Sequence, residues 1–233
     1  MTEKAKLIES TITAGFGTFP EALSGYRRED GVSIEFSKIK DNSLKVLFIF
    51  DETSYTREKA RLIGIDLIKE ISLSLAAYNE VHFTWRYDTA SSWKESNEKA
   101  VRAVVVTSLT LRAKVAGAMD LGILENHKIS EKSLIAFECF NNALKYREER
   151  QEKEVAFWLY FAMEALKFEY NLKDCVFKNE LVNNIASREK VNAFSYSIGR
   201  YYRHFKSSGK GSVLPIKECV DLAKKAIYFY NHK

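Results

Sequence analysis

The chain has 233 residues, 46% hydrophobic and 29% charged, which suits one large core or two small ones and excludes a disordered chain. Two prolines and ten glycines argue against a loop-rich all-β protein. The net charge of +5 is uneven: residues 194–233 carry eight Lys or Arg against Glu218 and Asp221, a net of +6, and the other 193 residues carry 28 against 29, a net of −1.

Residues 5–12 (AKLIESTI) form a short amphipathic stretch, expected as a helix, and GFGTFP after it lacks the Gly-Lys-Ser/Thr ending of a phosphate loop. Val32, Ile34 and Phe36 alternate with Ser33 and Glu35, the pattern of a strand with one wet face. Asp41-Asn42 supplies a turn, and Leu44–Phe50 is a second, more apolar and so more central strand. Thr53 or Ser54 is placed to cap a helix from about Tyr55 to Tyr78, with Ala60, Leu62, Ile63, Leu67, Ile68, Ile71 and Leu75 as its apolar stripe. Val81–Tyr87 alternates cleanly, and Val101–Val115 alternates over a longer stretch, predicting an antiparallel pair. Residues 1–116 therefore read as a β-β-α-β-β domain, followed by a linker over 117–129.

From residue 130 every periodic segment is helical. Ser130 caps a helix to about Arg147, and the charged break REERQEKE follows. Val155–Tyr170 is apolar almost all round and reads as a buried central helix. Val176–Ile185 is a short helix, and Ser187 caps a longer one through Phe205. The loop SSGKGSV leads to Pro215 at a helix start and to a last helix over Ile216–Tyr230, with Val220, Ala223, Ile227 and Tyr230 inward. The fold class is α+β: an antiparallel sheet with one long helix, then a helical bundle.

Cys139, Cys175 and Cys219 are far apart, form no CxxC and sit in apolar helical contexts, so buried free thiols in a reducing cytoplasm are expected. The start, MTEKAKLIES, has no hydrophobic signal core. No apolar run reaches the ~18 residues of a membrane span, so no membrane partner is expected.

The densest set of reactive groups is Phe194–Gly211, FSYSIGRYYRHFKSSGKG. Arg200 and His204 are four apart and share one face of a continuous helix. A guanidinium beside an imidazole can grip a phosphate and move a proton near neutral pH. Equally, Arg200 and Arg203 could pair with carboxylates while His204 caps a helix end. Tyr201, Tyr202 and Phe205 interleave with Arg200, Arg203 and Lys206, with Lys210 in the loop beyond, a pattern that stacks bases beside phosphate contacts. Glu164 lies mid-way along the most apolar helix and needs a partner, for which Arg200 or Arg203 is the candidate. His82, His127 and His232 form no metal set, and no Ser-His-Asp arrangement, GxSxG or GxGxxG occurs, so no cofactor is expected.

Three of these features together resemble HEPN domains: the aromatic helix ending FAMEALKFEY with its internal Glu164, the basic helix end GRYYRH, and the closing amphipathic helix KECVDLAKKAIYFY. The resemblance covers residues 130–233. It implies a bundle of four or five helices that associates with RNA, often in a defence or toxin system, and cleaves it without metal as an endoribonuclease. It also implies a homodimer, with Arg200 and His204 catalytic and Arg203, Lys206, Lys210, Tyr201 and Tyr202 holding RNA. The Arg–His spacing is shorter than the family's, and Tyr201 follows Arg200 where the family carries a polar residue. The alternative is a module that dimerises or binds a protein partner without chemistry.

Overall fold

The computed structural model describes residues 5–15, 25–27, 31–51, 55–87, 128–202 and 211–233. The fold is α+β, and the chain divides into two units, Met1–Leu75 with Phe83–Asn126, and Ala76–His82 with His127–Lys233.

The first unit holds β1 (Ala5–Ala14), β2 (Tyr26–Arg27), β3 (Ser33–Lys40), β4 (Ser43–Asp51) and β5 (Phe83–Tyr87), in the order β2-β3-β4-β1-β5 and antiparallel throughout. The apolar β4 is central, as its composition predicts. Ile12 faces Leu44 and Ser10 faces Val46 from one side; Phe36 faces Val46 and Ile34 faces Phe48 from the other. All of these are buried, while Glu35 and Ser37, pointing the opposite way, are exposed. One face of the sheet is therefore core. The Asp41-Asn42 turn forms, and Asn42 holds the end of β1 by accepting from the Ala14 N–H at 3.0 Å.

β1 corrects the expected N-terminal helix. Ten residues with Ile8, Ile12, Thr11 and Thr13 fit either period, and the free edge of β4 decides between them: Ala5–Thr13 supply a continuous ladder that an apolar central strand requires. β5 pairs with β1. Its expected partner, Val101–Val115, lies outside the described residues, as does most of the linker.

α1 (Arg57–Asn79) is capped by Thr56, whose Oγ1 accepts from the Lys59 N–H at 3.3 Å, two residues later than expected. Ala60, Leu67, Ile68, Ile71 and Leu75 are buried as the stripe predicts, but Leu62 is exposed. Tyr55, just before the helix, meets Phe50 of β4 edge-on at 5.2 Å. Residues 71–77 are buried without a break, and Ala76 onward group with the second unit.

That unit contains α2 (Glu131–Glu148), α3 (Glu152–Glu169), α4 (Asp174–Asn184), α5 (Arg188–Tyr196) continuing as a π-helical turn over Ser197–Tyr201, and α6 (Ile216–Asn231). α2 and α3 form a hairpin, and α6 packs on both. Phe137, Phe140, Leu144, Leu159, Leu166, Ile227 and Tyr230 are almost fully enclosed. The inward residues predicted for α6 are all buried. The Asn231 side chain accepts from the Ser130 N–H (2.8 Å) and donates to the Lys128 carbonyl (2.9 Å), tying the start of α2 to the end of α6.

Two expectations fail here and a third is modified. α3 is not enclosed all round: Phe157, Phe161 and Phe168 are exposed, because its core contact needs only the stripe Val155, Ala156, Leu159, Ala162, Met163 and Leu166. Cys175 is exposed, since α4 buries only Phe177 and Leu181; Cys139 and Cys219 are buried as expected. The helix capped by Ser187 is α-helical to Tyr196, passes through a π turn over Ser197–Tyr201 and is α-helical again at Tyr202; its expected end at Phe205 lies outside the described residues. Among the described residues no helix is long and apolar enough to cross a membrane.

Candidate nucleic-acid interface

α5 starts as its sequence directs: Ser187 Oγ accepts from the Lys190 N–H at 3.4 Å. At Ser197 the helix widens into the π turn. The Ser197 hydroxyl donates to the Ala193 carbonyl (2.7 Å) and accepts from the Leu214 N–H (2.8 Å). Tyr202 donates its hydroxyl to the Leu214 carbonyl at 3.0 Å. Both backbone groups of Leu214 are thus held by side chains flanking the π turn. Gly211 lies so close that a Cβ there would sit 2.7 Å from the Tyr196 ring, a contact only glycine allows.

This clamp leaves Arg200 and Tyr201 facing water. Arg200 is exposed, and its guanidinium makes no ion pair among the described residues. Tyr201 is 42% exposed and stands edge-on to Tyr202 at 5.1 Å. Burial raises the Tyr202 phenol above its ordinary value, so it remains a hydrogen-bond donor rather than a base. Arg203, His204, Lys206 and Lys210 lie outside the described residues. π turns recur at functional sites, because they re-aim side chains that a regular helix would point elsewhere.

Among the described residues Glu164 pairs with a lysine and not with Arg200, the other candidate, Arg203, lying outside them. Its carboxylate meets Lys167 of its own helix at 2.5 Å, and Lys167 also reaches Asp174 at 2.6 Å. A cation one turn along the helix reaches the carboxylate without any tertiary contact, and the half-open side chain needs no buried partner. Burial opposes the charge on Lys167, yet the bonds to Asp174 and Glu164 hold it above the ordinary lysine value.

A second cluster has no signature in the sequence. Glu80, in the left-handed conformation (φ 52°) after α1, is gripped from both sides. Arg147 donates to its carbonyl and to Oε2 (3.3 Å), and Lys224 donates to Oε1 (3.1 Å) and to the Tyr78 carbonyl (3.2 Å). Burial works against the Glu80 charge, but Lys224 and Arg147 keep its carboxyl below the ordinary value. Next to it, the Glu148 carboxylate accepts from the His82 N–H at 2.7 Å. Burial pushes Glu148 up to about 7, and burial, aided by Lys145, pushes His82 down to about 4. These groups fasten residues 76–82 onto the bundle across sequence separations of 66 to 146 residues, beyond the reach of any local pattern.

Beside Arg147 lies an open groove of about 580 Å³, lined also by Arg150, Glu154, Val155 and Ile216. α2 ends there with the Gln151 N–H bonded to the Tyr146 carbonyl and the Arg150 N–H to the Arg147 carbonyl, which forces Arg150 to φ 60°. Glycine is the residue this position favours. Arg150→Gly is expected to raise stability by about 0.5–1 kcal/mol, read from the urea midpoint at unchanged slope; an unchanged or lower midpoint would mean the arginine stabilises the fold by other contacts.

Burial also raises the thiols, Cys139 to about 11 and Cys219 to about 12, so neither is a nucleophile near neutral pH. Among the described residues no group of three His, Cys, Asp or Glu is arranged to hold a metal ion. The chain matches no family model, and no curated protein or solved structure resembles it closely enough to count as a match.

Proposed function

We propose that the chain is an RNA-associated protein of HEPN type that holds single-stranded RNA along Arg200–Tyr202 and the basic stretch following it. One observation carries this reading: Arg200 is exposed, with no ion pair among the described residues, beside the exposed ring of Tyr201, in the most basic segment of the chain. A guanidinium takes a phosphate, and a neighbouring ring stacks a base whatever its identity. Arg203, Lys206 and Lys210 add sequence-independent contacts, and Tyr202 sets the angle of Tyr201 from its fixed seat on Leu214. The catalytic extension is a metal-independent endoribonuclease: His204 takes the 2′-hydroxyl proton as the 2′-oxygen attacks the phosphorus, the bond from phosphorus to the 5′-oxygen breaks, that oxygen takes up a proton from water, and Arg200 stabilises charge at the phosphate.

Fluorescence anisotropy with a labelled single-stranded RNA tests the binding reading. Affinity is expected to fall steeply with salt. Arg203→Ala or Lys206→Ala should each weaken binding and lower the salt slope by about one. Arg200→Ala and Tyr201→Ala should each weaken it about tenfold or more. Salt-independent or absent binding, or wild-type affinity in Arg200→Ala, disposes of the proposal. Cleavage is tested separately in a chelating buffer: His204→Ala should abolish it with RNA affinity retained. A wild-type protein that binds but never cuts would confine the site to binding.

A further inference from the structure

The groove of about 580 Å³ lies where α2 ends and α3 and α6 begin, and it is large enough for one small ligand unit. Arg147, Arg150 and Lys153 line it with positive charge, Glu152 and Glu154 with negative charge, and half-buried Ile216 gives it an apolar wall. Arg147 is already committed to Glu80. Arg150 is exposed, and its guanidinium has no ion pair among the described residues. It also holds φ 60°, where glycine is favoured. A side chain kept at a backbone position that disfavours it points to a use other than stability.

The groove adjoins the candidate interface. The π turn packs against α3. Tyr202 donates to the Leu214 carbonyl at 3.0 Å, two residues before Ile216. The Glu152 carboxylate and the Ile216 N–H both lie close enough to act on the Tyr202 phenol. Tyr201 stands edge-on to Tyr202 at 5.1 Å. A path of adjacent groups therefore runs from Arg200 and Tyr201 over Tyr202 to Ile216 and the groove. The mixed charge of the lining narrows what fits. A bare phosphate or an acidic peptide would meet two carboxylates as well as the cations. A ribonucleotide satisfies both signs: its phosphate takes a guanidinium, and its 2′-hydroxyl donates to a carboxylate.

We propose that an RNA strand held at Arg200–Tyr201 continues past Tyr202 into this groove. One further ribonucleotide is seated there, with its phosphate on Arg150, its 2′-hydroxyl on a groove carboxylate and its base against Ile216. This rests on the RNA reading above and adds a second contact point to it. Two points held apart by the fold demand a minimum strand length, and a carboxylate on the 2′-hydroxyl sets RNA above DNA.

Fluorescence anisotropy with single strands of about 4 and about 12 nucleotides, as RNA and as DNA of the same sequence, tests it. Arg150→Gly relieves the backbone, so unfolding does not account for a loss of affinity in it. This variant is expected to bind the longer RNA about tenfold more weakly, with a salt slope lower by about one, and to bind the shorter RNA as the wild type does. Arg150→Lys keeps the charge and should keep the slope. The wild type should bind the longer RNA several-fold more tightly than the longer DNA. Wild-type affinity for the longer RNA in Arg150→Gly overturns the proposal, as does an equal loss at both lengths or equal affinity for RNA and DNA. Arg200→Ala separates this failure from failure of the RNA reading. It should weaken both lengths, so a loss there with none in Arg150→Gly removes the groove contact alone, and no loss there removes both.

Discussion

Tyr230→Ala is expected to remove about 4 kcal/mol of stability, the largest loss from any one substitution in the helical unit. The residue is fully buried near the end of α6. Its ring stacks on Phe177 at 5.4 Å and 14°, and meets Tyr170 at 5.1 Å. Its hydroxyl donates to Glu180 at 2.5 Å, and its carbonyl accepts from the Tyr170 hydroxyl at 2.5 Å. Alanine leaves a cavity where α3, α4 and α6 converge, and deprives Glu180 of one of its two donors; Lys233 remains at 2.5 Å. Tyr230→Phe keeps the ring and should cost only about 1 kcal/mol, the net worth of one hydrogen bond with some desolvation of its acceptor. Urea unfolding followed by far-ultraviolet circular dichroism separates the two. Equal losses in both variants would show that the hydroxyl, not the ring, dominates.

The second large effect is hidden in the wild type. Glu148 has its carboxyl raised from 4.5 to about 7 by burial. Its contribution is fully present below the unfolded value and is lost as pH rises from 4.5 towards 7. His82, lowered from 6.5 to about 4 by burial and Lys145, works the other way. Its contribution is present above 6.5 and is lost as pH falls towards 4. Each amounts to about 2 kcal/mol after allowance for screening at half-open sites. Between pH 5 and 6.5 they offset, so wild-type stability should be nearly flat there. Glu148→Gln keeps an acceptor for the His82 N–H and removes the titration, and this variant should weaken steadily on acidification from pH 6.5. His82→Gln should do the reverse and gain stability as pH falls from 7 to 5. Glu80, Asp174 and Glu180, all held below their ordinary values, add losses only as pH falls below about 4.5. Thermal midpoints across pH 5–7 supply the check; two single variants as flat as the wild type would remove both groups from the account.

The parts of this fold that could be read from the sequence are those fixed by long, clean periodicity. The β3–β4 hairpin, the stripe of α1, the Ser187 cap and the inward face of α6 all follow from local pattern. β1 did not, because ten residues of mixed pattern fit a helix until the open edge of β4 is known. The exposure of Phe157, Phe161 and Phe168 was equally out of reach, since apolar content does not say which side of a helix its neighbours cover. In the candidate interface, the interleaving of Arg200 and Tyr201 with further basic and aromatic residues is legible in the sequence. The π turn beneath them is not, because it depends on Ser197 and Tyr202 capturing Leu214, residues more than ten positions further on. Glu164 meets a lysine one turn along its own helix, a local pairing that the apolar content of α3 does not bring forward. The Glu80 and Glu148 contacts join segments far apart in sequence and exist only once the fold does.

The grouping of Ala76–His82 with the helices means that the helical unit is not a cassette. A boundary drawn in the linker, where composition changes, leaves a C-terminal fragment without the Tyr78 carbonyl, the Glu80 carboxylate and the His82 N–H. Arg147, Lys224 and Glu148 would each lose the group they hold. The end of α1 acts as a missing piece of the bundle delivered from elsewhere in the chain, and a fragment starting at Lys128 would need it restored, as an added peptide covering 76–82, to become whole. Recombination, in the laboratory or in evolution, cannot exchange this bundle by a single crossover in the linker; it must carry the far end of α1 along.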